Sequence, residues 1–80
     1  LDVNGRRHQT GNTNLMIFSF NFLISHLSNY ITLMPGDIIT TGTPPGVGLG
    51  MNPPKFLKNG DEMVLKVDNL GQQITKVIEE

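Results

Sequence analysis

Cysteine is missing altogether from these 80 residues, and so is tryptophan. Without cysteine the chain can form neither a disulfide nor a thiolate metal site, two devices that often hold small folds together. Such a composition suits a reducing compartment. No excess of one charge is present either: six basic residues face seven acidic ones, a net charge of −1. A nucleic acid would therefore find no electrostatic footprint, and no such partner is expected. Long hydrophobic runs are lacking too. The longest, Leu15-Met16-Ile17-Phe18, falls far short of the ~20 apolar residues that a membrane-spanning helix requires. No membrane partner is expected. At Leu1-Asp2-Val3-Asn4-Gly5-Arg6 there is no initiator methionine and no signal-peptide pattern, and the chain opens as if in mid-strand. Residues 1–80 read as one fragment of a larger domain, to be accompanied by the rest of its polypeptide.

Glycine and proline, by contrast, are plentiful, with nine and five copies, and they punctuate the chain. Leu1-Asp2-Val3, then Asn4-Gly5, then Arg6-Arg7-His8-Gln9 is a hairpin pattern, because Asn-Gly supplies the positive φ angles of a type I′ turn. Thr10 to Asn14 is small and polar, a loop. Ser19 to Ile31 predicts the one helix, capped by Ser19 or Asn21. Its stripe is Leu23, Leu27 and Ile31, widened by Ile24 and Tyr30. Met34-Pro35-Gly36-Asp37 is a tight turn that launches a β-branched strand, Ile38-Ile39-Thr40-Thr41. Residues 43–54 are too rich in Gly and Pro for regular structure. Lys58-Asn59-Gly60-Asp61 repeats the Gly-Asp turn, and Met63, Leu65 and Val67 then alternate as a half-buried strand. Asn69-Leu70-Gly71 turns the chain into a returning partner, Gln72 to Glu79, with Ile74 and Ile78 on one face. The predicted fold is mainly β with one helix.

Chemistry-bearing residues are few. The acids Asp2, Asp37, Asp61, Glu62, Asp68, Glu79 and Glu80 show no spacing that would converge on a hard cation, and Asp37 and Asp61 have turn roles. No metal ligand is placed in this chain. His8 on the hairpin and His26 in the helix lack a neighbouring nucleophile or paired carboxylate. His26 reads as helix surface, and His8 as a residue that could border a site. Gly46-Val47-Gly48-Leu49-Gly50 has neither the spacing of a dinucleotide turn nor the ending of a phosphate loop. What remains is Thr40-Thr41-Gly42-Thr43, hydroxyls followed by glycines that permit close backbone approach. Its N–H groups and the threonine hydroxyl suit a carboxylate or enolate oxygen. A plain strand-end turn explains the same residues equally well.

The string Thr32-Leu33-Met34-Pro35-Gly36-Asp37-Ile38-Ile39-Thr40-Thr41-Gly42-Thr43-Pro44-Pro45-Gly46-Val47-Gly48 closely resembles the C-terminal signature of the fumarylacetoacetate hydrolase family. So do Val3-Asn4-Gly5, Gln9, Gly11-Asn12-Thr13 and Met16-Ile17-Phe18 before it. Phe56 to Asp61 and Asn69-Leu70-Gly71 follow in the family's order. The likeness covers nearly the whole chain. It implies the C-terminal part of a mixed β-sandwich roll and an enzyme acting on small 2-oxo, diketo or enol carboxylic acids. C–C hydrolysis, isomerisation and decarboxylation are all within the family's range. The resemblance further implies a divalent cation, Mg²⁺ with Mn²⁺ or Ca²⁺ as alternatives, a homodimer, and a cytoplasmic setting (mitochondrial in a eukaryote). The family's Glu-x-Glu and Asp ligands and its catalytic Lys precede this region, so this chain would carry no catalytic residue of its own. Only Thr43 carries over as a substrate contact, with Gly42 and Pro44 shaping its loop. Gly48 to Pro54 with Phe56-Leu57 looks like the branch of 2,4-diketo-3-deoxy sugar-acid hydrolases, ureidoglycolate lyase-labelled proteins and hydroxyheptadienedioate isomerases. The other reading is a non-catalytic β module of the same fold that binds a partner through its hairpin edges.

Overall fold

Asn4 and Gly5 take up φ angles of 50° and 76°, the pair of positive values that a type I′ turn demands. They join β1 (Asp2–Val3) to β2 (Arg6–Arg7) as the predicted hairpin. The computed structural model describes all of residues 1–80, which fall into two units. One comprises Leu1–Thr10 with Pro44–Glu80, the other Gly11–Thr43.

The first unit holds one four-stranded antiparallel sheet in the order β2-β1-β3-β4, with β3 at Glu62–Val67 and β4 at Gly71–Lys76. The two hairpins expected separately thus become one sheet. Their seam pairs Asp2 with Val64 and Val3 with Met63, residues some sixty positions apart in the chain. β3 and β4 pair throughout, from Glu62 with Lys76 to Val67 with Gly71. Beyond β4 the backbone keeps bonding: Val77 N–H donates to Asp61 O at 2.8 Å, and Gly60 N–H to Val77 O at 2.8 Å.

The turn at Lys58–Asp61 that feeds β3 is doubly closed. Asp61 N–H donates to Lys58 O at 3.0 Å, and Lys58 N–H returns a bond to Asp61 Oδ2 at 2.8 Å. Gly60 sits at φ 92°, where only glycine is unstrained. Met34–Asp37, in the second unit, is built the same way. Asp37 N–H donates to Met34 O at 3.1 Å, Met34 N–H to Asp37 Oδ2 at 2.8 Å, and Gly36 has φ 93°. Both are type II turns with an aspartate lock.

The strand expected after the second of these turns is not there. Ile38–Thr41 joins no ladder. A strand exists only through hydrogen bonds to a neighbour, and the sheet's four strands all belong to the other unit. Ile38 is accordingly 89% exposed.

The second unit carries α1 (Phe20–Ser28). Ser19 is its cap, its Oγ accepting from Phe22 N–H at 3.1 Å, which settles the choice between Ser19 and Asn21. The helix ends three residues before the predicted Ile31. Tyr30 and Ile31 N–H both turn onto Leu27 O at 3.0 Å, because Asn29, Ile31 and Thr32 are poor helix formers. Leu23 and Leu27 are its partly covered residues, whereas Ile24, Tyr30 and Ile31 lie exposed. No helix is long and apolar enough to cross a membrane.

Val3 is the only buried residue of the chain. Met63 and Val64, adjacent and on opposite faces of β3, are covered to a similar middling degree, while Leu65 and Val67 are exposed. The expected alternation of inside and outside along β3 is therefore not realised. A sheet buries one face only when a second layer lies on it, and the first unit by itself supplies no such layer.

Candidate functional site

Asn4 does more than turn the first hairpin. Its N–H donates to Glu62 O at 2.8 Å, and its side-chain Nδ2 donates to Asp61 Oδ1 at 2.9 Å. Its Oδ1 accepts from Glu62 N–H at 2.9 Å. Three bonds from one residue tie the Asn-Gly turn to the Gly-Asp turn and set the seam of the sheet. Asp61 thus accepts from both the Lys58 backbone N–H and the Asn4 amide. Those bonds, with Lys58 and Lys55 nearby, hold its carboxyl below the ordinary value of 3.8, since hydrogen bonds to the charged form favour it.

The glycine-rich loop closes over the exit of β2. Gln9 Nε2 donates to Pro44 O at 2.8 Å. A Cβ at Gly46, whose φ is 113°, would collide with the His8 carbonyl, and one at Gly48 with the Lys55 carbonyl. Lys55 N–H donates back to Gly48 O at 2.9 Å. Close backbone approach is thus what these glycines provide, and at Gly46 and Gly48 the approaching backbone is the chain's own. Gly48–Gly50 forms one short 3-10 turn in the otherwise irregular segment, and the Asn52–Pro53 peptide is cis.

This closure leaves a cavity of about 440 Å³ whose apolar floor includes Val3 and Met63 and whose rim includes Arg6, His8, Lys55 and Lys58. A second hollow of about 550 Å³ shares Arg6, His8 and Lys55. His8 is half-buried and does border a cavity, while His26 lies on the exposed helix surface between Phe22 and Tyr30.

Gly42 and Thr43 end the second unit. Gly42 takes φ 97° with open space where a Cβ would point, and Thr43 is exposed. A threonine hydroxyl presented beside a left-handed glycine can donate to a ligand oxygen. No three His, Asp or Glu side chains of the chain gather where a metal could sit. These residues alone do not fit the divalent cation that the resemblance implies.

The family model described as the C-terminal region of fumarylacetoacetate (FAA) hydrolase matches residues 1–78. The chain belongs to the fumarylacetoacetate hydrolase family. Family relatives named "Putative hydrolase" occur in Burkholderia. One from Burkholderia ambifaria is 53% identical over 75 residues, 92% of this chain and 27% of its own length. One from Burkholderia orbicola is 49% identical over 77 residues, 95% of this chain and 27% of its own. The chain therefore spans about a quarter of the length of the curated relatives it matches. Within the fumarylacetoacetate hydrolase family, a hydrolase-type family, sequence reasoning gives Asn4 and Asp61 only turn roles and misses the clamp between them. Their signal was present: two Gly-containing turns, each with a polar side chain able to reach backbone.

Proposed function

We propose that this chain is the C-terminal portion of a hydrolase that acts on small 2-oxo carboxylic acids with a diketo or enol unit. The observation that carries the reading is the family match across residues 1–78, with Thr43 exposed next to a left-handed Gly42. In this reading the Thr43 hydroxyl donates to a carboxylate or enolate oxygen of the substrate, and Gly42 keeps the backbone clear of it. Such a donor is worth most where charge develops during bond cleavage. The divalent cation and its acidic ligands belong to polypeptide outside these residues, as does the catalytic base. Assembly as a homodimer in the cytoplasm completes the proposal.

The test uses the full polypeptide that contains this stretch. Consumption of a 2,4-diketo acid is followed with and without Mg²⁺, in wild type and in Thr43→Val. We expect turnover that needs the cation, and at least a tenfold fall in kcat/KM for the variant with an unchanged melting temperature, the loss of one donor to a charged oxygen. A variant that loses stability but keeps full activity would show that Thr43 is structural. The exposed β4 edge favours a second reading, a non-catalytic module that pairs with a partner strand. Absence of both turnover and cation binding in the full polypeptide would favour it.

A further inference from the structure

The only ion pair in the chain joins Arg7 to Asp2, so Arg6, Lys55 and Lys58 enter none. Yet all three line the cavity of about 440 Å³, and Arg6 and Lys55, with His8, also line the adjoining hollow. The one acid in that lining is Asp61, close enough to Lys58 and Lys55 for both to favour its charged form, so three cations share a single carboxylate and an excess of positive charge remains. Positive charge left unbalanced by that one carboxylate repels itself unless a further anion joins it, and a concave wall focuses the field. Arginine's planar fork with a flexible lysine opposite is the usual donor pair for a carboxylate or phosphate. The rim is also built rather than incidental. Asn4 and Gly5 set β2 and hence Arg6, while the Gly48–Lys55 backbone contact sets Lys55.

We infer that the cavity rimmed by Arg6, Lys55 and Lys58 binds the oxyanion group, phosphate or carboxylate, of a small ligand. The site lies wholly within the first unit and does not depend on the role proposed for Thr43.

Titration calorimetry on the full polypeptide tests it, with inorganic phosphate in one arm and malonate in the other. Saturable binding is expected in at least one arm, and the tighter arm identifies the oxyanion. Arg6→Gln and Lys55→Gln should each weaken it about tenfold, the loss of one charge-assisted contact. Lys66→Gln, an exposed β3 lysine outside both cavities, should leave it unchanged. Thermal melts check that the variants stay folded. Lys55→Gln, on irregular chain, carries the test if Arg6→Gln loosens the hairpin. No saturable binding, an equal loss in Lys66→Gln, or full affinity in Lys55→Gln would each overturn the inference.

Discussion

Three glycines alternate along the loop that closes over β2, and they should respond to alanine in opposite ways. At Gly48 a Cβ would lie inside the Lys55 carbonyl, and at Gly46 inside the His8 carbonyl. Both obstacles are backbone, so no side-chain rotation relieves them. Gly46 also has φ 113°, a region alanine enters only with strain. At Gly50 the nearest atom is Val47 Cγ2 at 3.7 Å, an ordinary contact, with no positive φ. Forcing a methyl into a filled space costs typically about 1–3 kcal/mol. Gly48→Ala also threatens the Lys55 N–H to Gly48 O bond of 2.9 Å, so about 3 kcal/mol is expected there, and at least as much for Gly46→Ala. For a domain above ~150 residues, each kcal/mol moves the midpoint by roughly 2–4 °C. Thermal denaturation of the full polypeptide should show a fall of about 6–12 °C for Gly48→Ala. Gly50→Ala should leave the midpoint unchanged or raise it slightly, since alanine restricts the unfolded chain by about 0.4–1 kcal/mol. Equal midpoints for all three variants would refute the idea that backbone contact, rather than loop composition, selects glycine here.

Asp61 gives a pH dependence. Its folded-state pKa lies below the ordinary 3.8, chiefly through the Lys58 backbone N–H. Its stabilisation is therefore complete above that value and lost as pH falls through the depressed one. The stability gap between wild type and Asp61→Asn, from denaturant melts, should be constant near neutrality and narrow below about pH 4. A gap that widened on acidification would contradict the assignment. Ser19→Ala removes the α1 cap and should cost about 1 kcal/mol; Ser19→Asp should restore it, and equal midpoints for Ser19→Ala and wild type would deny the cap a role. The 80 residues alone, with Val3 the single buried side chain, should show no cooperative thermal transition by circular dichroism and should bind a hydrophobic dye.

Local turn chemistry was legible along the whole chain. Asn4-Gly5, the two Gly-Asp turns and the Ser19 cap each depend on residues within four positions of one another, so the pattern of types is enough to place them. Turn-and-strand order suffices for a mainly β fold class with one helix, and the linked motifs for the family. The misplaced strand, Ile38–Thr41, marks where this kind of reading stops. Its β-branched residues state a preference, but a strand also needs a neighbour to bond with, which propensity does not supply.

Turns, cap and family membership are thus written in short stretches of residue types, where φ preferences and side-chain reach act over a few bonds. The joining of the hairpins through Val3 and Met63, the Asn4–Asp61 clamp, and the rim that gathers Arg6 with Lys55 emerge only on folding. Each brings together residues roughly fifty to sixty positions apart, and no local preference encodes which distant hydrogen-bonding group will arrive.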